Sequence, residues 1–320
     1  MRRLLAVFSL AVMAAPALSQ SPPPPAQGFH FNAAARLRYE RWNWFEPAVP
    51  AENSYGFFAA KSNLIAGYQS SGWFDARVDL QNTTLLGLPD NASGPPPVGD
   101  LGVGATYLAP HGETDDSRFF LNQAFITLKS PSRPGNFVRL GRFEYLDGLE
   151  TLTGDATLDW LKRVRLSVRL IGTFAFSHAG RSFDGAQAAL NRPRFNLTAL
   201  AVHPRQGGFE IEGMKDISAV DLGALTLTLK PGTVLPRSEA RLFYYYYGDD
   251  RSPADTVIKA DNRPGPVRAA DSAAIQIHQL GGHFAKAVTI GSGEGDLMLW
   301  GVYQTGDWGL QKHRAWAIAA

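Results

Sequence analysis

Cysteine is absent from the 320-residue sequence, so no disulfide can hold the fold together. The chain must instead be stabilised by a core or by closure of a sheet. Beyond residue 19, no hydrophobic run approaches the roughly 20 apolar residues of a transmembrane helix. An excess of one charge is also lacking: Lys and Arg number 31 against 29 Asp and Glu, and Arg2 and Arg3 account for the difference. Nothing global therefore indicates nucleic-acid binding.

The N-terminus MRRLLAVFSLAVMAAPALSQ has two arginines, a short apolar stretch and a small-residue ending. This pattern is typical of a secretory signal peptide. A membrane anchor fits less well, because the apolar run is too short to span a bilayer and contains Pro16. We predict a signal peptide over residues 1–19, a Pro-rich leader over residues 20–28 and one β domain over residues 29–320.

Polar and apolar residues alternate along several segments. In FHFNAAARLRYER, Arg36, Arg38 and Glu40 share one face, and Leu37 and Tyr39 share the other. WFDARVDLQ alternates in the same way, which indicates strands with one polar and one apolar face. Further candidate strands cover about 55–69, 118–129, 136–144, 195–203, 237–247, 272–285, 296–305 and 310–320, while segments near 163–190 and 209–230 are strand-like but harder to register.

The stretch DATLDWLKRVRLSVRL is consistent with two structures. Val164 and Leu166 alternate with arginines as in a strand, whereas Leu158, Leu161 and Arg165 also suit a helical turn. We predict a strand here.

Connection lengths alternate along the chain. SSG and SPSRPG are short, whereas the Gly/Pro-rich segment between them and GDDRSPADTVIKADNRPGPVRAAD after YYYY are long. Short turns alternating with long loops are typical of outer-membrane barrels, and a soluble sandwich has no need of them. Aromatic residues cluster at strand ends, as in an interfacial girdle or, alternatively, in an ordinary β core: Trp42, Trp44, Phe45, Tyr244 to Tyr247, Trp300 and Trp308.

These patterns predict an all-β fold: an antiparallel, porin-like transmembrane β-barrel with about 12 strands in this chain. Enzyme motifs such as His-Glu-x-x-His, a P-loop or Gly-x-Ser-x-Gly are missing, so we expect neither catalysis nor a cofactor or metal. The alternative of another class is a soluble periplasmic protein that binds or cleaves glycans, for which Asp75 and Asp79 would be a carboxylate pair.

Arginines recur on the polar faces of the predicted strands, often with an acid close by. An arginine guanidinium is permanently charged and binds carboxylates bidentately, and arginine rings around a pore select anions. The alternative is that these groups only pair across strands. As a set we predict that they line a pore: Arg36, Arg38, Glu40, Arg77, Asp79, Arg139, Arg142, Arg181 and Asp184.

Four motifs, RLRYE, GRFEYLDG, RLIG and GRSFDG, occur in the order seen in the alginate export family of Gram-negative outer-membrane barrels. The resemblance covers roughly residues 30–200, with Phe143 where the family usually has Gln. It implies a monomeric barrel in outer-membrane lipid, with an electropositive constriction that passes an anionic uronate polysaccharide. The motif positions carried over are Arg36, Arg38, Arg142, Arg181 and Asp184, whereas Arg77 and Arg139 rest on the face assignment alone.

Two features depart from the family pattern. The chain holds more sequence than expected between GRFEYLDG and RLIG, so we expect a different constriction loop. It ends at HRAWAIAA without a terminal aromatic residue, and about a dozen strands are fewer than the roughly 16–18 of a large pore. We therefore expect a C-terminally truncated member, part of a larger barrel, or else a smaller barrel. Within the same class, a porin for small anionic or aromatic solutes is the alternative function.

The segment NFVRLGRFEYLDG gives conflicting assignments. Simple alternation puts Arg139 in the lumen and Arg142 outside, whereas the family motif makes Arg142 the pore residue. A bulge at Gly141 would bring both arginines to the lumen, and glycine in a strand often marks a bulge. We predict this bulge.

Overall fold

The structure is a computed structural model that describes residues 27–94, 99–255 and 257–320. The predicted signal peptide and nearly all of the leader lie outside these residues. The strands are β1 (Gly28–Asn43), β2 (Ser54–Gln69), β3 (Phe74–Leu86), β4 (Ser93–Gly94), β5 (Gly99–Asp100), β6 (Asp116–Lys129), β7 (Phe137–Phe143), β8 (Phe183–Asn191), β9 (Phe195–Pro204), β10 (Val220–Leu229), β11 (Ser238–Asp249), β12 (Ile275–Ile290), β13 (Gly293–Trp308) and β14 (Gln311–Ala319). Short helices are α1 (Val103–Leu108), α2 (Ala156–Leu161), a π-helical turn (Lys162–Leu166), a 3-10 turn (Pro253–Asp255) and α3 (Gly265–Ala269).

Twelve strands form one antiparallel sheet in which each pairs with its neighbours along the chain, and β4 and β5 pair only with each other. Within the described residues, β1 and β14 each pair on one side only. No described helix has the length and apolarity to cross a membrane. The all-β antiparallel prediction is confirmed.

The two ends of the sheet carry different connections. At one end, here the short-turn end, five short turns join the strands: residues 70–73, 130–136, 192–194, 230–237 and 291–292. At the other end, here the loop end, five longer connections and one tight turn do so: residues 44–53, 87–115, 144–182, 205–219, 250–274 and 309–310. The predicted alternation is therefore present along nearly the whole sheet.

One face of the sheet, here the outer face, exposes large apolar side chains along its whole width. They include Phe31, Leu37, Tyr39, Phe58, Leu64, Val78, Phe119, Ile126, Val138, Leu140, Leu190, Leu225, Leu242, Leu280, Leu299, Trp316 and Ile318. Soluble proteins rarely expose an apolar surface of this extent, whereas the lipid-facing side of an outer-membrane barrel requires one. The outer face thus argues against the soluble alternative.

The opposite face, here the inner face, is covered by residues 144–182, the connection from β7 to β8. We call these residues the inner segment. Leu158, Leu161 and Leu166 of the inner segment pack in a buried cluster with Phe243 and Trp300 of the sheet. One buried cluster therefore lies between the inner segment and the sheet, and a second packs residues 88–107 against β2, β3 and β6.

Residues 156–166 of this stretch are helical and residues 167–170 form a turn, so the predicted strand is wrong. The Asp155 side chain accepts hydrogen bonds from the backbone N–H groups of Thr157 and Leu158 and caps α2. The buried Leu158, Leu161 and Leu166 have helical spacing and face the sheet. The intervening arginines, which look like the polar face of a strand in the sequence, are the exposed side of the helical turns.

The predicted bulge at Gly141 is also wrong. β7 pairs in continuous register with β6 from Phe137 to Arg142 and with β8 from Phe137 to Phe143. The register shift lies instead between β3 and β6, where Asn122 is the extra residue. Gly141 has φ +118° within regular pairing, a conformation that glycine tolerates and other residues rarely adopt.

We expect Gly141→Ala to destabilise the sheet by on the order of 2 kcal/mol, because the new Cβ is strained at positive φ and overlaps the Ala124 carbonyl oxygen. Urea unfolding from lipid vesicles would measure the change. Gly301→Ala in β13 is the matched control, since its Cβ would lie 3.6 Å from its nearest neighbour. Equal stability of the two variants would contradict the argument.

Candidate functional site

Two arginines of β1 bind the backbone of the inner segment. Arg36 donates to the carbonyl oxygens of Ala175, at 3.1 Å, and Ser177. Arg38 donates to the carbonyl oxygen of Phe176 at 2.7 Å. Both arginines lie on the inner face, as predicted, and the hydrogen-bond acceptors that they bind are carbonyl oxygens of the inner segment.

Glu40 and neighbouring groups hold His178, the residue of the inner segment that follows Ser177. The Glu40 carboxylate lies 2.9 Å from Nε2 of the buried His178 and accepts a hydrogen bond from the Trp42 indole. The His178 backbone N–H donates to the Tyr107 hydroxyl, and its carbonyl accepts from the Thr83 hydroxyl. β1, β3 and α1 together therefore hold this part of the inner segment.

The first half of the inner segment is attached to β11 by a buried charge cluster. Arg241 is 2% exposed and donates to Asp147 at 2.8 Å, to Glu150 and to the Tyr245 hydroxyl. Burial raises the pKa of Asp147. For Glu150, burial acts upward, but the charge of Arg241 and the hydrogen bond from Tyr145 outweigh it and lower the pKa.

A second buried ion pair adds to this attachment. Nζ of Lys162, on the inner segment, lies 2.7 Å from Glu239 of β11 and also donates to the Thr151 carbonyl. His283 of β12 lies 3.3 Å from the same carboxylate. Because removal of one partner would leave a buried charge uncompensated, these pairs fix the inner segment against the sheet.

Arg77 and Asp79 lie on the inner face, where they pair with each other. Their charged atoms are 3.5 Å apart, and Asp79 is buried. The Asp79 carboxylate also accepts hydrogen bonds from Asn63 and Gln123. The ion pair lies within β3, and the hydrogen bonds from Asn63 of β2 and Gln123 of β6 are the contacts that cross between strands.

Arg139 lies on the inner face among aromatic rings. Its guanidinium carbon is 4.7 Å from the ring centre of Phe125 and 5.7 Å from that of Phe143. It donates to Thr127 and Gln187 and forms no ion pair with any described residue. Alternation alone assigned its face correctly.

Arg142 and Asp184 lie on the outer face, so the prediction that they line the lumen is wrong. They form a bidentate pair with distances of 2.7 and 3.0 Å, and Arg205 also donates to Asp184. Because β7 has no bulge, Arg142 keeps the orientation of Val138 and Leu140. In this chain, the family motif therefore marks an ion pair on the outer face of the sheet, near the loop end.

Arg181 lies in a cavity of about 870 Å³ between the inner segment and the sheet, together with Arg169 and Arg251. Its guanidinium carbon is 4.8 Å from the ring centre of Phe174, and one N–H makes a 3.4 Å contact with the Gly207 carbonyl. Burial lowers the pKa of Arg181. Of the predicted set, Arg181 is the member that lines this cavity.

Three arginines that the predicted site omits lie on the inner segment. Arg163, Arg165 and Arg169 are exposed and form no ion pair with any described residue, although Arg169 lies 5.1 Å from the ring centre of Trp300. The density of arginine in KRVRLSVR was the available signal. Because the pattern predicts a strand for this stretch, the sequence offered no reason to place these arginines on a segment that packs against the inner face.

An antiparallel sheet with an apolar outer face and a charged inner face has the pattern of a transmembrane β-barrel wall. The sequence profile of the alginate export family, a family of outer-membrane barrels, matches residues 54–320, and the chain belongs to this family. The match extends over the C-terminal half, where the motifs are weak, and begins after RLRYE. No curated protein matches the chain.

We expect the double variant Arg36→Gln/Arg38→Gln to release residues 173–180 from β1. Loss of the charged hydrogen bonds should raise local opening by about 10- to 100-fold, because each is worth roughly 1 kcal/mol or more. Hydrogen–deuterium exchange of this stretch would measure the change. Arg41→Gln on the outer side of β1 is the control, and unchanged exchange in the double variant would refute the anchoring role.

We expect Arg241→Met to lower the free energy of unfolding by about 3–5 kcal/mol, because Asp147 and Glu150 would remain buried without a cation to pair with. Arg237→Met should change stability little, since its pairs with Asp155 and Glu294 lie at the exposed short-turn end. Urea unfolding of both variants in lipid provides the comparison. Similar losses in the two variants would contradict the difference in burial.

Proposed function

We propose that the protein is an outer-membrane channel that passes an anionic polysaccharide of the uronate type by diffusion. Family membership supports this class of solute, and the apolar outer face suits a lipid environment. The observation that carries the proposal is the group of inner-segment arginines that have no carboxylate partner among the described residues: Arg163, Arg165, Arg169 and Arg181.

Charge compensation explains why these arginines matter more than those of the strands. Arg38 and Arg77 face carboxylates in their own strands, and Arg241 faces two from the inner segment. An anion entering the barrel would have to compete with those partners. Arg163 and Arg165 offer uncompensated, hydrated charge, which attracts anions without holding them tightly, as conduction requires.

Orientation follows from the connections. Outer-membrane barrels carry short turns on the periplasmic side and long loops outside, which puts the loop end at the cell surface. The signal-peptide pattern supports export of the chain to this membrane. The acidic solute and the surrounding lipid would then be its partners.

A porin for small acidic solutes is the second candidate. The inner segment occupies space that a wide polymer channel would leave open, and the cavity beside it, about 870 Å³, is of the size that holds small molecules. This observation favours monomeric acids over long polyuronate chains. Direction of transport would be uptake in that case.

We expect Arg163→Gln/Arg165→Gln to reduce anion selectivity, measured as the reversal potential in planar bilayers under a salt gradient. Removal of two uncompensated charges should lower the anion-to-cation permeability ratio several-fold. Arg133→Gln/Arg194→Gln removes two exposed arginines from turns at the short-turn end and is the matched control.

A cation-selective or unselective wild-type pore would refute the proposal, and equal selectivity of the two double variants would refute the assigned residues. Blocking experiments on the same bilayers separate the candidates. Oligouronates that interrupt the current more strongly than monomeric glucuronate favour a polymer channel, whereas the reverse order favours the small-solute porin.

A further inference from the structure

The cavity beside Arg181 has the features of a binding site. It is bordered by the inner segment on one side and by β10 and β11 on the other. Its lining combines the Arg181 guanidinium with apolar groups that include Ile171, Phe174, Phe176 and Leu222. Small-molecule sites commonly have this composition: mostly apolar, with few polar groups that fix orientation.

Two arginines that border the cavity, Arg181 and Arg169, form no ion pair with any described residue, and Arg169 donates its Nε–H to the Arg165 carbonyl oxygen. Arg251, which also borders the cavity, is bound bidentately by Asp249, at 2.9 and 2.7 Å, and Asp249 also accepts from the Tyr247 hydroxyl. Arg181 forms no ion pair with any described residue, and its Nε is buried without a hydrogen-bond partner. A carboxylate in the cavity would supply both the missing charge and the missing acceptor.

Aromatic rings indicate what the rest of the ligand would be. Phe174, Phe176 and Phe209 form a cluster with ring centres 5.9 to 6.1 Å apart beside Arg181. A uronic acid would bring several hydroxyl groups against these rings, where they would lose their hydrogen bonds to water. A ring or hydrocarbon body would instead gain apolar contact.

Backbone strain points to the same place. Val168 and Phe174, which both border the cavity, have φ of +51° and +53°, in the left-handed region that residues with a Cβ rarely adopt. Such strain is typically retained at functional sites, where the surrounding structure imposes it. It holds Phe174 beneath the Arg181 guanidinium.

We propose that this cavity binds a small aromatic monocarboxylate, whose carboxylate pairs with Arg181 and whose ring packs against Phe174 and Phe176. The inference rests on the small-solute form of the proposed function. It goes further in making the ligand's apolar body, and not a sugar, the feature that is recognised.

The test uses the full-length protein in detergent, without current measurement. The probe is 2-naphthoate, whose fluorescence anisotropy reports binding. We expect saturable binding that is at least ten-fold weaker for glucuronate, tested by competition, and for the uncharged 2-naphthalenemethanol. Arg181→Gln should weaken naphthoate binding at least ten-fold, and Arg194→Gln, distant at the short-turn end, should leave it unchanged.

A second variant covers the case in which Arg181→Gln does not fold. Ala175 is exposed and borders the cavity, so Ala175→Phe should fill the space and abolish naphthoate binding while leaving Arg181 in place. Wild-type affinity in either folded variant overturns the site, and glucuronate binding as tightly as naphthoate overturns the ligand class.

The outcome is separable from that of the channel proposal. A pore that lacks anion selectivity but binds naphthoate through Arg181 would refute the conduction mechanism alone. A selective pore without naphthoate binding would refute the cavity alone.

Discussion

Charges buried between the inner segment and the sheet must meet an opposite charge or a backbone oxygen, and the arrangement of the interior depends on this constraint. Arg241 of the sheet takes two carboxylates from the segment, while Lys162 of the segment takes Glu239 from the sheet. Because a buried ion without its partner costs several kcal/mol, separation of the inner segment from the sheet is strongly unfavourable. The connection from β7 to β8 is therefore an integral part of the fold.

The same constraint divides the arginines into two groups with different roles. Those of the strands, such as Arg36 and Arg38, are occupied by carbonyl oxygens or carboxylates of the chain and hold the interior together. Those on the exposed side of the inner segment, such as Arg163 and Arg165, form no ion pair with any residue that the structure describes. Exposed arginines that form no ion pair among the described residues are thus carried by the inner segment, and the proposed anion selectivity would reside in this one element.

Several features could be predicted because they follow from local geometry. Successive side chains of a strand point to opposite faces, so alternation placed Arg38, Arg77 and Arg139 on the inner face without knowledge of the fold. The same rule put Arg142 outside, and the error came from preferring a motif to the alternation. For residues 155–170, alternation and helical spacing fitted equally well. The helix is favoured by the Asp155 cap and by packing against β12 and β13, which are remote in sequence.

The sequence by itself determined the all-β class, the antiparallel sheet with an apolar and a polar face, and the alternation of short and long connections. All of these depend on residue periodicity and turn chemistry over a few neighbouring positions. Only the tertiary structure decided that one long connection, the inner segment, folds against the inner face. It also decided which arginines form contacts between the segment and the sheet and which form no ion pair with any described residue. Those outcomes depend on pairs such as Arg36 with Ala175 and Arg241 with Asp147, which lie far apart in the chain. No local pattern in the sequence encodes these long-range contacts, because they form only when the sheet curves around the inner segment.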